Sequence, residues 1–207
     1  LDPSDARFKW TDQGKIIQSV PNRDMWNAID PNIIIDEAGT PWMSFGSFWD
    51  GIKMVRLTDD LARVAQPEEW YSLSRRERSF ELDDKDPGDG AVEAPFIMKH
   101  GDYYYLFVSF DYCCRGMKSN YKVVVGRSKT VTGPYLDKDG KSMAQGGGSL
   151  VIQGNTDYVG VGHNAAYHFD GKDYFICHAY SAKEDGAPKL IIREMTWTPD
   201  GWPIVAW

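Results

Sequence analysis

Cysteine is scarce: Cys113, Cys114 and Cys177 are the only three in 207 residues. That is too few for the disulfide framework that holds small secreted domains together. The adjacent pair Cys113-Cys114 also lacks metal-ligand spacing, so the thiols are assigned to structure, with an adjacent-residue disulfide as the minor alternative. Basic charge is lacking too. With 23 Lys and Arg against 30 Asp and Glu the formal charge is −7, which leaves nothing to neutralise phosphates and excludes a nucleic-acid partner. No apolar run approaches a membrane span, so no membrane partner is expected. No secretory signal precedes Leu1, a property shared with mature secreted proteins. The Gly-rich Gln145 to Gly148 is not a phosphate loop, because neither Lys-Ser/Thr nor a helical pattern follows it.

Aromatic residues, by contrast, are plentiful. Eight Trp, 11 Tyr and nine Phe suit a β-rich core, and a sugar-binding cleft would use them as well.

An internal repeat organises the chain. Three segments share one layout, a short apolar strand, a Gly-containing turn and an aromatic strand, which is hairpin grammar. They open at Asp30-Pro31-Asn32-Ile33-Ile34-Ile35, at Glu93-Ala94-Pro95-Phe96-Ile97-Met98 and at His163-Asn164-Ala165-Ala166-Tyr167-His168-Phe169. The turn glycine follows the opening residue by 9, 8 and 8 positions. A third strand beginning with Lys53, Lys122 or Lys189 comes next, and fourth strands are expected, most clearly at Gly133-Pro134-Tyr135 and Gly201-Trp202-Pro203-Ile204. Four antiparallel strands repeated radially make an all-β propeller. The copies lie 63 and 70 residues apart, longer than a compact propeller repeat of roughly 40–45. The loops therefore carry extra material, including the charged stretch from Ser74 to Asp89, read as solvated.

The expected blades are 21–75, 90–140 and 150–207. Residues 1–20, with Phe8-Lys9-Trp10 and Lys15-Ile16-Ile17 as outer strands, are expected to end a preceding blade. About three blades leave open edges that a soluble fold manages poorly. The expectation is thus a chain incomplete at its N-terminus, either a cleavage product or one half of a two-chain assembly.

Each repeat opens on an ionisable residue: Asp30, Glu93 or His163. The first strand of a propeller blade lines the central channel, so three such groups converge on one spot. Half-buried carboxylates are costly unless paired or functional, and two around a channel fit glycoside hydrolysis, in which one protonates the leaving oxygen and another activates water. The residues alone do not assign those roles.

Trp26-Asn27-Ala28-Ile29-Asp30-Pro31-Asn32, Ser47-Phe48-Trp49-Asp50-Gly51-Ile52-Lys53, Val92-Glu93-Ala94-Pro95 and Gly162-His163-Asn164 resemble the arabinanase branch of glycoside hydrolase family 43. Asp111-Tyr112-Cys113-Cys114-Arg115-Gly116 and Val124-Val125-Gly126-Arg127-Ser128 are similar to the same branch. The resemblance covers nearly the whole chain, in the family's order, and most resembles its endo-α-1,5-L-arabinanases. It implies a five-bladed β-propeller that hydrolyses arabinan, the side chains of pectin, with inversion in a secreted or periplasmic setting. It makes Glu93 the general acid and Asp30 the carboxylate that orients it and tunes its pKa. It sets His163 near a calcium ion or water cluster, against which stands a His bonded to a neighbouring carboxylate or water. Asn27, Ser47, Phe48, Trp49 and Asp111 become candidates for substrate binding, with Trp49 equally readable as a core ring.

One departure stands out. The family's general base is an Asp of the first blade, and nothing here matches it: Asp2-Pro3 copies the dipeptide, but the polar Ser4-Asp5-Ala6-Arg7 follows in place of a strand. The base is then expected on a second polypeptide that carries the N-terminal blade. The rivals are an exo-acting arabinofuranosidase or β-xylosidase of the same family, and a non-catalytic carbohydrate-binding propeller.

Overall fold

The computed structural model describes residues 2–207 and is all-β. Its strands form three four-stranded antiparallel sheets, each in sequence order. The first contains β1 (Asn32–Ile35), β2 (Pro41–Phe45), β3 (Ile52–Arg56) and β4 (Trp70–Ser74). The second contains β5 (Val92–His100), β6 (Tyr103–Phe110), β7 (Lys122–Ser128) and β8 (Ser149–Gln153). The third contains β9 (Tyr158–Phe169), β10 (Lys172–Ser181), β11 (Ala187–Trp197) and β12 (Pro203–Val205). Helix is confined to three-residue turns, and among the described residues none is long and apolar enough to cross a membrane.

Each sheet opens with a hairpin at the turn the repeat marks. Gly39, Gly101 and Gly171 have φ of +83°, +55° and +77°. Nothing crowds a Cβ at any of the three, so it is the left-handed backbone that calls for glycine there, not space.

The second sheet is buried on both faces. Along β7, Val123 and Val125 point into a core shared with Phe175 and Ile191 of the third sheet, while Val124 points into a core shared with Ile52 and Met54 of the first. β6 divides the same way, with Tyr105 and Phe107 on one side and Leu106 and Val108 on the other. Side chains that alternate across a strand buried on both faces require apolar residues at every position, which is how Tyr-Tyr-Tyr-Leu-Phe-Val and Val-Val-Val read. The third sheet has one covered face. Ile191 is 4% exposed, whereas its neighbours Leu190 and Ile192 are 71% and 51% exposed.

Two expectations about strands are corrected. Among the described residues no strand precedes β1, so Phe8-Lys9-Trp10 and Lys15-Ile16-Ile17 are not outer strands. The segment finds no ladder to join. Ile16, Ile17 and Trp26 instead lay their side chains on Met43, Phe45 and Val55, capping the free face of the first sheet. The second correction is Gly133-Pro134-Tyr135, which lies in a loop. Tyr135 is buried there and its hydroxyl donates to the Val131 carbonyl at 2.6 Å. The fourth strand is β8, which pairs with β7 from Lys122↔Gln153 to Val125↔Ser149. The second sheet therefore runs to Gln153, past the expected boundary at 140, and Gln145 to Gly148 leads into β8.

Candidate functional site

The inner strands β1, β5 and β9 lie side by side. Hydrogen bonds join the sheets here: Ile97 N–H of β5 donates to Asn32 Oδ1 of β1 at 2.9 Å, and His163 N–H of β9 to Ser109 Oγ of β6 at 2.8 Å. β5 and β9 each carry a bulge, and the chain just ahead of β1 makes the same skip. In β5 pairing skips from Glu93↔Ser109 to Phe96↔Phe107, in β9 from Gly162↔His178 to Ala165↔Ile176. Ahead of β1, Gly46 N–H donates to the Ile29 carbonyl at 2.9 Å and pairing resumes at Asn32↔Ser44. The first residue of each bulge is left-handed: Asp30 at φ +55°, Ala94 at +53° and His163 at +52°. Non-glycine residues held there cost free energy and gather where a site needs them.

This register corrects the expected equivalence of Asp30, Glu93 and His163. The counterpart of Asp30 and His163 is Ala94, and Glu93 corresponds to Ile29 and Gly162. The sequence pattern aligned the residues by their charge, whereas the bulges align them by backbone.

The structure nevertheless brings Asp30, Glu93 and His163 together. His163 Nε2 lies 3.9 Å from Asp30 Oδ1. Glu93 Oε1 accepts a hydrogen bond from the hydroxyl of the buried Tyr121 at 2.5 Å. Burial raises the pKa of Glu93; the Tyr121 hydrogen bond opposes this, the Asp30 charge adds to it and His163 opposes it. The balance keeps Glu93 above an ordinary carboxyl, as a proton donor near neutrality requires. His178, whose ring centroid is 5.8 Å from that of Tyr121, is pushed down by burial and by His163.

The remaining candidates take different places. Ser47 is buried and forms an antiparallel bridge with Glu93, and Phe48 N–H donates to the Val92 carbonyl at 2.8 Å. Asn27 Nδ2 donates to Ser47 Oγ at 2.8 Å, tying the N-terminal segment to the residue that bridges to Glu93. The Phe48 ring stands 6.1 Å from Tyr112. Trp49 is not a core ring: its Nε1 donates to the Asp84 carbonyl at 2.8 Å, and with Asn27 it lines a cavity of about 200 Å³. Asp111 receives Arg76 on Oδ1 at 2.5 Å and Lys122 on Oδ2 at 2.8 Å. Burial alone would raise its pKa, but Lys122 and Arg76 outweigh burial and hold it low. With both oxygens engaged, Asp111 anchors a loop.

The cysteines are also corrected. Cys113 and Cys114 form a disulfide, and Cys177 alone is free, buried and pushed up to about 12 by burial. Cys113 Sγ lies 4.0 Å from Glu93 Oε1. A bonded sulfur has no proton to donate, so it is an apolar neighbour. Tyr121 escaped the sequence reading because its contact with Glu93 crosses between strands; the nearest signal was its place one residue before the Lys122 strand.

Calcium takes six to eight oxygen ligands, and the carboxylate within 4 Å of His163 is that of Asp30. Among the described residues no group of three or more His, Cys, Asp and Glu could hold a metal. The residues present do not by themselves make a calcium cage, which would need further oxygens such as waters. Beside His163, the Asn164 amide is 3% exposed and neither its Nδ2 nor its Oδ1 has a partner.

The sequence matches the family model described as "Glycosyl hydrolases family 43" over residues 3–203. It is 56% identical over 205 residues to the extracellular exo-α-(1→5)-L-arabinofuranosidase ArbA of Cellvibrio japonicus (strain Ueda107), covering 99% of this chain and 59% of that protein. It is 42% identical over 194 residues to the extracellular endo-α-(1→5)-L-arabinanase 1 of Bacillus subtilis (strain 168), covering 94% and 55%. The structure of Cellvibrio cellulosa α-L-arabinanase complexed with arabinohexaose superposes with a TM-score of 0.96 at 55% identity, over 100% of this chain and 65% of that one. The chain spans less than two thirds of the length of these relatives.

Proposed function

The chain belongs to glycosyl hydrolase family 43, and from that premise we propose that it supplies the acid side of an active site that cleaves α-1,5-linked arabinan. The observation that carries the proposal is Glu93: a carboxyl raised by burial, held by Tyr121, and flanked by Asp30 and His163. In an inverting reaction Glu93 gives its proton to the leaving glycosidic oxygen as the bond from that oxygen to the anomeric carbon breaks. Water adds to the anomeric carbon from the opposite face and loses a proton to a base. Burial, and after it the Asp30 charge, favours the protonated form of Glu93.

We place the base outside these residues. Asp2 lies in an exposed turn, its Oδ1 accepting from Ser4 N–H at 2.9 Å and Ser4 Oγ at 2.7 Å. The full catalytic unit is then a five-bladed propeller to which this chain contributes three sheets, the rest coming from a further stretch of polypeptide or a second chain. The bare apolar face of the third sheet and the unpartnered Asn164 support that reading. An extracellular location is proposed because both named relatives are extracellular. A calcium ion would need oxygens from water or from outside this chain, and no step depends on it.

The second reading concerns mode. The resemblance favours endo cleavage, but the relative at 56% identity is named exo-acting, as is an exo-1,5-α-L-arabinanase structure from a bovine ruminal metagenomic library with TM-score 0.91 and 47% identity. Digesting linear arabinan with the full-length enzyme separates them: endo cleavage gives a ladder of oligomers, exo cleavage one small product. Glu93→Ala should abolish turnover of arabinan while leaving the fold intact. A folded variant of near-normal activity would overturn the assignment, and oligosaccharide binding without hydrolysis by the full-length protein would turn it to a carbohydrate-binding propeller.

A further inference from the structure

One loop, between β6 and β7, brings two groups to the same oxygen of Glu93: the Tyr121 hydroxyl and the Cys113 sulfur. The loop is closed on itself. The Tyr112 carbonyl accepts from Asn120 and Tyr121 N–H, both at 3.1 Å, and Tyr112 N–H donates to Asn120 Oδ1 at 3.0 Å. Its foot is the Asp111 carboxylate clamped between Arg76 and Lys122. Tyr121 is 1% exposed, and a Cβ at Gly162 would stand 2.1 Å from its Cδ1. Glycine is needed at 162 for the ring to reach Glu93.

Resting on the assignment of Glu93 as the acid, we propose that Tyr121 is its positioning residue and that Glu93 carries its catalytic proton on Oε2. Oε1 is taken as an acceptor by Tyr121 and flanked by a sulfur without a proton, which leaves Oε2 to hold the proton and face the glycosidic oxygen. As the proton leaves, negative charge grows on Glu93 and the Tyr121 hydrogen bond strengthens, so the bond favours the transition state over the ground state. Burial and the neighbouring Glu93 charge hold the phenol far above its ordinary range, so it stays a donor throughout. No bond to Tyr121 forms or breaks.

The test is a double-mutant cycle in the full-length enzyme on linear α-1,5-arabinan, with Tyr121→Phe, Glu93→Gln and both together, each with a pH profile of kcat/KM. Tyr121→Phe keeps the ring and removes the donor. Its kcat should fall about 10- to 100-fold, with KM little changed. The alkaline limb of its profile should rise by about one pH unit, because a hydrogen bond to the ionised form has been lost. In the Glu93→Gln background the same change should add almost nothing. An unmoved limb, or losses that multiply in the double variant, would overturn the positioning role while leaving Glu93 as acid. An active Glu93→Gln would instead overturn the functional assignment itself. Should Tyr121→Phe fail to fold, Gly162→Ala displaces the ring by another route and should raise the limb likewise; a folded Gly162→Ala with an unmoved limb would sink the proposal.

Discussion

Nε2 of His163 stands 3.9 Å from Oδ1 of Asp30, and both residues have left-handed backbone, Asp30 just ahead of β1 and His163 in β9, on either side of β5. The carboxylate therefore owes its place to backbone conformation as much as to its own contacts. Its charge helps to hold Glu93 protonated. Replacing Asp30 by Asn removes that charge and keeps the shape, so the pKa of Glu93 should fall. Activity that needs protonated Glu93 is lost as pH rises through that pKa. The alkaline limb of the Asp30→Asn profile should thus move to lower pH, opposite to Tyr121→Phe, with kcat at neutral pH reduced. A limb that stays in place would mean that Asp30 does not act through its charge.

The ion pairs of Asp111 give a prediction about stability. Lys122 and Arg76 hold its folded pKa below the ordinary 3.8. A group depressed on folding contributes stability above its unfolded pKa and loses it as pH falls through the folded value. Asp111→Asn should lower the urea midpoint at pH 7, and by less at acid pH as the wild-type carboxyl takes up its proton. Equal losses at both pH values would point to packing in place of charge.

The middle sheet predicts where stability resides. Phe107 and Phe175 are both 0% exposed, with ring centroids 6.0 Å apart across the second and third sheets. Phe107→Ala should cost about 3–5 kcal/mol, read from chemical denaturation. Leu190→Ala, on the bare face, should cost far less in this chain. A comparable loss at Leu190 would mean that the face is covered in solution.

Much of this was legible in the sequence wherever a local rule determines structure. The turn glycines mark three hairpins because left-handed backbone there depends on the residue itself. The unbroken apolar runs of β6 and β7 mark the doubly covered sheet. β8 was misplaced although Ser149-Leu150-Val151-Ile152 is the more strand-like stretch: the repeat set the fourth strand close behind the third, and only pairing with β7 gives Ser149 to Gln153 to the second sheet. The clustering of Asp30, Glu93 and His163 followed from the repeat, but their exact equivalence did not, since a bulge shifts register by one residue without leaving a mark in composition. Tyr121 meets Glu93 across 28 positions, a contact that no local pattern encodes.

The Cys113–Cys114 disulfide gives the last prediction, in which activity and stability part company. A cross-link between neighbours closes almost no loop, so it restricts the unfolded chain little and its entropic stabilisation lies at the bottom of the usual range. Its sulfur, however, flanks the oxygen of Glu93 that accepts from Tyr121. Cys113→Ser with Cys114→Ser should therefore change the melting midpoint by no more than about 4 °C, equivalent to under 1 kcal/mol. The same pair places a hydroxyl able to donate where the apolar sulfur was. A new donor to the carboxylate lowers the pKa of Glu93, so the alkaline limb should move down and kcat should fall at neutral pH. Treating the wild-type enzyme with a phosphine reductant should lower kcat without unfolding it, and reoxidation should restore it. A large loss of stability with an unmoved limb would make the disulfide a brace for the loop and nothing more.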